Sequence, residues 1–134
     1  EFTMLEFYMA YADYHDMMSL TEEMVAHIAQ RVNGTTACVF GEHSFDLAPP
    51  WRRATMRELV EEATGLDIKC GHALVEAFES SVEARLIAPT FVTDFPVEVS
   101  PLAKRKTDEP HLSYRFARFA LTPSLSGRLT ATTA

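Results

Sequence analysis

Glu1-Phe2-Thr3-Met4-Leu5-Glu6-Phe7-Tyr8-Met9 reads with the two-residue period of a β-strand. Successive strand side chains point to opposite faces, so Phe2, Met4, Glu6 and Tyr8 share one face. Thr3, Leu5, Phe7 and Met9 share the other. Both faces are largely apolar, which predicts a strand buried on both sides. Phe2 to Tyr8 would span roughly 20 Å. A carboxylate in such a strand is costly unless paired, so Glu6 needs a partner. In one reading it pairs with a core arginine and the aromatic residues are ordinary core, since buried ion pairs are also structural. In the other the face is a ligand platform: a flat ring stacks on Phe2, and a ligand ammonium is held by the Glu6 charge and the Tyr8 oxygen. Composition alone favours the first.

Beyond this strand the period becomes helical. From Asp13 to Val32, Met17, Leu20, Met24, Ile28 and Val32 form an apolar stripe. Asp13 or Asp16 can cap its start, and Asn33-Gly34 can stop it. Thr36–Phe40 and His43–Leu47 flank Gly41-Glu42 and predict a β-hairpin. Thr55-x-x-Glu58 is a capping box for a helix over Met56–Ala63, stopped by Gly65. A further helix is expected over His72–Leu86, a strand over Thr90–Phe95 and a last strand over Tyr114–Leu121. These elements do not alternate as regular βαβ units, so the fold class is α+β, with a mixed, mostly antiparallel sheet and flanking helices. Residues 122–134, rich in Ser, Thr, Ala and Leu, show no period and are expected to be a disordered tail.

The chain has 134 residues, of which 47% are hydrophobic and 23% charged, which suits one domain or part of one. A net charge of -7 argues against this stretch gripping a nucleic-acid backbone by itself. The two basic runs, Trp51-Arg52-Arg53 and Lys104-Arg105-Lys106, read as solvated turns. Cys38 and Cys70 are far apart and read as reduced thiols, and the scattered histidines offer no zinc spacing. No apolar run is long enough to span a membrane, and there is no signal peptide.

Two stretches resemble one family. Residues 1 to 14, ending Ala10-Tyr11-Ala12-Asp13-Tyr14, resemble the second strand of motif 2 in class II lysyl-tRNA synthetases. Pro89-Thr90-Phe91-Val92-Thr93-Asp94-Phe95-Pro96 and Val97-Glu98-Val99-Ser100-Pro101-Leu102-Ala103-Lys104 resemble the segment between motifs 2 and 3. Thr55-Met56-Arg57-Glu58 fits between them. The resemblance implies a partial class II catalytic domain over residues 1–121, running from the second motif 2 strand to before motif 3. It implies that Phe2 stacks on the ATP adenine and that Met4, Glu6 and Tyr8 line the lysine pocket. It also implies a cytoplasmic lysine-tRNA ligase that uses ATP and Mg2+ to form lysyl-adenylate and transfers lysine to tRNA-Lys. No protein nucleophile is needed, because the reaction rests on positioning and charge stabilisation. The Ser100–Lys104 turn is expected to be scaffold first and ligand contact second.

The resemblance also implies absences. Motif 1, which builds the family's homodimer interface, the first motif 2 strand, motif 3 and the magnesium ligands have no counterpart here, and between Asp67 and Gly71 a longer helical stretch is shortened. The expectation is a piece of a lysine-tRNA ligase that is inactive alone and prone to self-association. The alternative is a catalytically dead paralogue or degenerate gene product keeping part of the fold as a binding module.

Overall fold

A computed structural model describes residues 5–119 and 129–132 of the chain. Helix α1 spans Tyr14–Asn33, followed by strands β1 (Ala37–Phe40), β2 (His43–Asp46) and β3 (Arg52–Thr55). Helices α2 (Met56–Thr64) and α3 (His72–Ser81) follow, then β4 (Thr90–Pro96), β5 (Leu112–Phe119) and β6 (Leu129–Thr132). β1 and β2 form a separate antiparallel hairpin, while the main sheet runs β3-β4-β5-β6. β3 is parallel to β4, and the other two pairings are antiparallel. The fold is therefore α+β with a mixed sheet, as the sequence pattern predicts.

Local chemistry sets the helix limits. Asp13 accepts hydrogen bonds from the backbone N–H groups of His15 and Asp16, and the Asp16 carboxylate accepts from Asp13 N–H, forming a capping box. The Asp16 backbone donor holds the Asp13 carboxyl below its ordinary value. Thr55 and Glu58 repeat the device at α2, with Thr55 N–H donating to Glu58 Oε2 at 2.8 Å and Glu58 N–H to Thr55 Oγ1 at 3.1 Å. Both helices end at a left-handed glycine, Gly34 (φ 73°) and Gly65 (φ 72°). Thr55→Ala is expected to lower stability by about 1 kcal/mol, read as a shift in the chemical-denaturation midpoint. An unchanged midpoint would show that the cap contributes nothing.

The sheet is covered on both faces. Ala54, Val92, Phe95 and Ala117 pack with Met56, Leu59 and Val60 of α2 and with Leu74 and Phe78 of α3. On the opposite face Phe91 and Phe116 pack with Met18 of α1 and with Trp51. Adjacent strand residues thus serve different cores, which accounts for the continuous apolar run Phe91-Val92. A register shift between Thr93 and Phe95 lets Asp94 take a left-handed conformation, φ 59°. That extra residue returns Phe95 to the α2–α3 face.

Four expectations are corrected. First, residues 5–9 form no strand and all five are exposed. A strand exists through ladder bonds to a neighbour, and none among the described residues pairs with them. Second, the buried positions of α1 are Met18, Thr21, Glu22 and Ala29, so its inward face is turned one residue from the expected stripe. Ile28 and Val32 remain exposed. Packing of Met18 against the aromatic cluster and the pairing of Glu22 with Arg53 set that rotation. Third, Trp51-Arg52-Arg53 is not a solvated turn: Trp51 is core, and Arg52 and Arg53 belong to β3. The two guanidiniums are satisfied by Glu62 (2.6 Å) and Glu22 (3.3 Å). Fourth, residues 129–132 of the expected disordered tail form β6, with Arg115 opposite Thr132 and Arg118 opposite Leu129. Backbone ladder bonds need no side-chain pattern, so composition did not reveal the strand. The rest of that tail lies outside the described residues.

Candidate functional site

The four residues expected to face ligand divide between two situations. Phe2 and Met4 lie outside the described residues. Glu6 and Tyr8 lie on the irregular segment before α1, and both are exposed, Tyr8 at 93%. Glu6 makes no hydrogen bond or ion pair among the described residues. The segment ends at Tyr11, which has φ 58° and points wholly into solvent. The structure therefore does not gather Glu6 and Tyr8 into a shared cavity.

Elsewhere in the fold, α1, β4 and β5 bring together polar groups that the sequence reading passed over. Lys106 lies in the basic run taken for a solvated turn. It is mostly buried and pairs with Asp94 at 3.0 Å and with Glu109 at 3.8 Å. Burial pulls its pKa down, but the Asp94 hydrogen bond and charge outweigh this, and it ends above the ordinary lysine value. A raised folded-state pKa means that the pair's contribution is complete below the ordinary lysine range and is lost only as pH climbs beyond it. Tyr14 at the start of α1 packs near Tyr114 of β5, with ring centroids 5.7 Å apart. Burial, then the Asp94 charge, pushes the Tyr14 phenol up. An aspartate inside the apolar strand Thr90–Pro96 was the available signal, because a charge there needs a partner.

A second cluster fixes the turn after β4. Arg115 lies 4.6 Å from the centre of the Phe95 ring, a cation–π distance. Its Nη1 donates to Ser100 Oγ at 2.7 Å and to Val99 O at 3.3 Å. Ser100 and Ala103 are buried, and Tyr114 N–H donates to Lys104 O at 2.8 Å. Leu102, at the tip, is 96% exposed. These bonds make the Ser100–Lys104 turn a braced scaffold. Arg115 was passed over and Lys106 was misread as solvated because their partners Ser100 and Asp94 are distant in sequence.

The described residues also form a groove of about 570 Å3 between α2, α3 and the β4 bulge. Its walls include Glu61, Lys69, Leu74, Asp94, His111 and Leu112, and neither Glu6 nor Tyr8 lines it. No group of three or more His, Cys, Asp or Glu able to hold a metal ion occurs among the described residues.

The chain belongs to the family of class II tRNA synthetases (D, K and N), which it matches over residues 1–123. This match places the mixed sheet and its flanking helices in the class II tRNA synthetase architecture. It is 46% identical over 144 residues to the lysine–tRNA ligase of Synechococcus sp. (strain CC9605), covering 89% of this chain and 29% of that protein. The lysine–tRNA ligases of Carboxydothermus hydrogenoformans and Bacillus subtilis (strain 168) are 44% and 45% identical, with the same coverage. The chain thus spans under a third of the length of these relatives. No helix among the described residues is long and apolar enough to cross a membrane.

Proposed function

We propose that these residues are part of the catalytic domain of a cytoplasmic lysine–tRNA ligase, which activates lysine with ATP and Mg2+ and transfers it to tRNA-Lys. The observation that carries this reading is the 43–46% identity to lysine–tRNA ligases across 89% of the chain. In this reading Phe2 stacks on adenine, and Met4, Glu6 and Tyr8 line the lysine pocket. Homodimerisation would rest on residues elsewhere in the complete protein. The chain's part in the chemistry is to hold substrate: a carboxylate and a phenol offer the lysine ammonium a charged and a neutral acceptor. In this reading the braced Ser100–Lys104 turn acts as scaffold. The isolated chain is proposed to be inactive, because transition-state charge is stabilised by groups converging from several strands.

The test is a chimera in which residues 1–123 replace the matching stretch of the Bacillus subtilis enzyme. Its pyrophosphate exchange should depend on lysine and show no response to aspartate or asparagine, the other two amino acids named for the family. A folded chimera that exchanges with aspartate or asparagine, or with none of the three, would overturn the reading.

A further inference from the structure

Residues 5–13, which include Glu6 and Tyr8, run directly into the first turn of α1. Whatever holds that turn limits where they can stand. The Asp13–Asp16 capping box holds the turn together internally, and Met17 N–H donates to Asp13 O at 3.1 Å. Tyr14 ties the same turn to the sheet, with its ring 5.7 Å from that of Tyr114 on β5. Tyr114 belongs to a second arrangement as well. Its N–H donates to Lys104 O at 2.8 Å, Lys106 N–H donates to Leu112 O at 2.9 Å, and Arg105 bridges Ser113, so residues 104–106 run antiparallel beside β5. That pairing delivers the Lys106 ammonium to Asp94, 3.0 Å away. Asp94 meets it because the β4 bulge turns it into left-handed backbone, φ 59°, which aspartate tolerates better than most residues. The Asp94 carboxylate is mostly buried and costly to keep charged without its cation. Burial raises the Tyr14 phenol, the Asp94 charge adds to this and Lys106 offsets it, so Tyr14 feels the field of both partners.

We propose that Lys106 and Asp94 are positioning residues for the amino-acid substrate: their ion pair balances the buried charge near Tyr14, which keeps the first turn of α1 seated on β5 and so fixes where residues 5–13 present Glu6 and Tyr8. This rests on the reading that Glu6 and Tyr8 hold lysine, and it assigns their placement to two residues on other elements. Without the ammonium, the Asp94 carboxylate draws water toward itself, and the Tyr14–Tyr114 contact loosens. The rest of α1 is attached independently, by Met18 in the aromatic cluster and by the Glu22–Arg53 pair. The effect is therefore confined to the start of the helix and to the segment that precedes it.

The experiment uses the chimera with the Bacillus subtilis enzyme and reads both exchange of amide hydrogens and pyrophosphate exchange. In Lys106→Gln, the Met17 amide should exchange about tenfold faster, while residues 25–30 of α1 stay unchanged. The KM for lysine should rise about tenfold, the size of a coupling carried through a packed network, with kcat and the KM for ATP close to the parent values. Lys106→Arg keeps the charge and should behave as the parent. In a Tyr14→Ala background, Lys106→Gln should raise the KM for lysine no further, because the tie it acts through is already gone. If Lys106→Gln does not fold, Asp94→Asn is the second variant: it keeps the size and the tolerance of left-handed backbone, leaves Glu109 to hold the ammonium, and should show the same split to a smaller degree. An unchanged Met17 amide overturns the proposal. So does faster exchange along the whole of α1, an equal rise in both KM values, or a further rise in the Tyr14→Ala background. A parent chimera without lysine-dependent exchange overturns the proposed function instead, and the Met17 amide, which needs no substrate, still decides whether the ion pair seats α1.

Discussion

Phe91→Ala is expected to lower the stability of this chain by about 3–5 kcal/mol, the range for deleting a large buried aromatic side chain. Phe91 is wholly buried in β4, with its ring centroid 5.3 Å from that of Trp51 and 5.3 Å from that of Phe116, the latter edge-to-face. These rings and Met18 form the apolar part of the contact that attaches α1 to the sheet, beside the Glu22–Arg53 pair and the Tyr14–Tyr114 ring contact. Removing the central ring leaves a cavity among residues that the backbone holds apart, and forfeits two aromatic contacts worth about 0.5–1.5 kcal/mol each beyond area burial. The measurement is the guanidinium midpoint at unchanged slope. Val39→Ala provides the control, since Val39 is exposed on the β1–β2 hairpin and should shift stability by under about 0.5 kcal/mol. Equal effects from the two substitutions would show that the aromatic cluster does not form.

What the sequence made legible is what short-range chemistry decides. The Thr55–Glu58 box, the Asp13 cap and the stops at Gly34 and Gly65 are each written within a few residues, and the helices they bound lie where the pattern puts them. The Gly41-Glu42 hairpin is legible for the same reason. Long-range pairing was not. β3 exists because Arg52 stands opposite Thr90 in a parallel ladder, and nothing in Trp51-Arg52-Arg53 announces that partner. β6 follows from the unpaired edge of β5 rather than from its own residues. The rotation of α1 was hidden because Glu22, which a hydrophobic pattern discards, is one of its buried positions and is held by Arg53. Lys106 was misread likewise: a basic run normally means solvent, and only the bulge that turns Asp94 out of the ladder supplies the partner.

The proposed ligand face differs from both cases, because its alternation is legible while a strand needs a neighbour to pair with. Alternation assigns Glu6 and Tyr8 to one side of a strand, but residues 5–9 lack ladder partners among the described residues and are exposed. In the isolated chain, Glu6→Gln should therefore change stability by less than about 0.5 kcal/mol. In the chimera with the Bacillus subtilis enzyme, the same substitution should weaken lysine activation by about 2–4 kcal/mol, on the order of thirtyfold to a thousandfold in exchange at limiting lysine. The amide keeps the size and an acceptor oxygen of the carboxylate but not its charge. The lysine ammonium, desolvated in the pocket, would then face a neutral partner. Tyr8→Phe removes only a neutral hydrogen bond and should cost about 1 kcal/mol. Neither substitution should alter the KM for ATP, whereas Phe2→Ala should raise it if Phe2 stacks on adenine as proposed. Loss of activity with the KM for lysine unchanged and the KM for ATP raised would move Glu6 away from the amino acid. Undiminished exchange by the Glu6→Gln chimera would remove it from the site altogether.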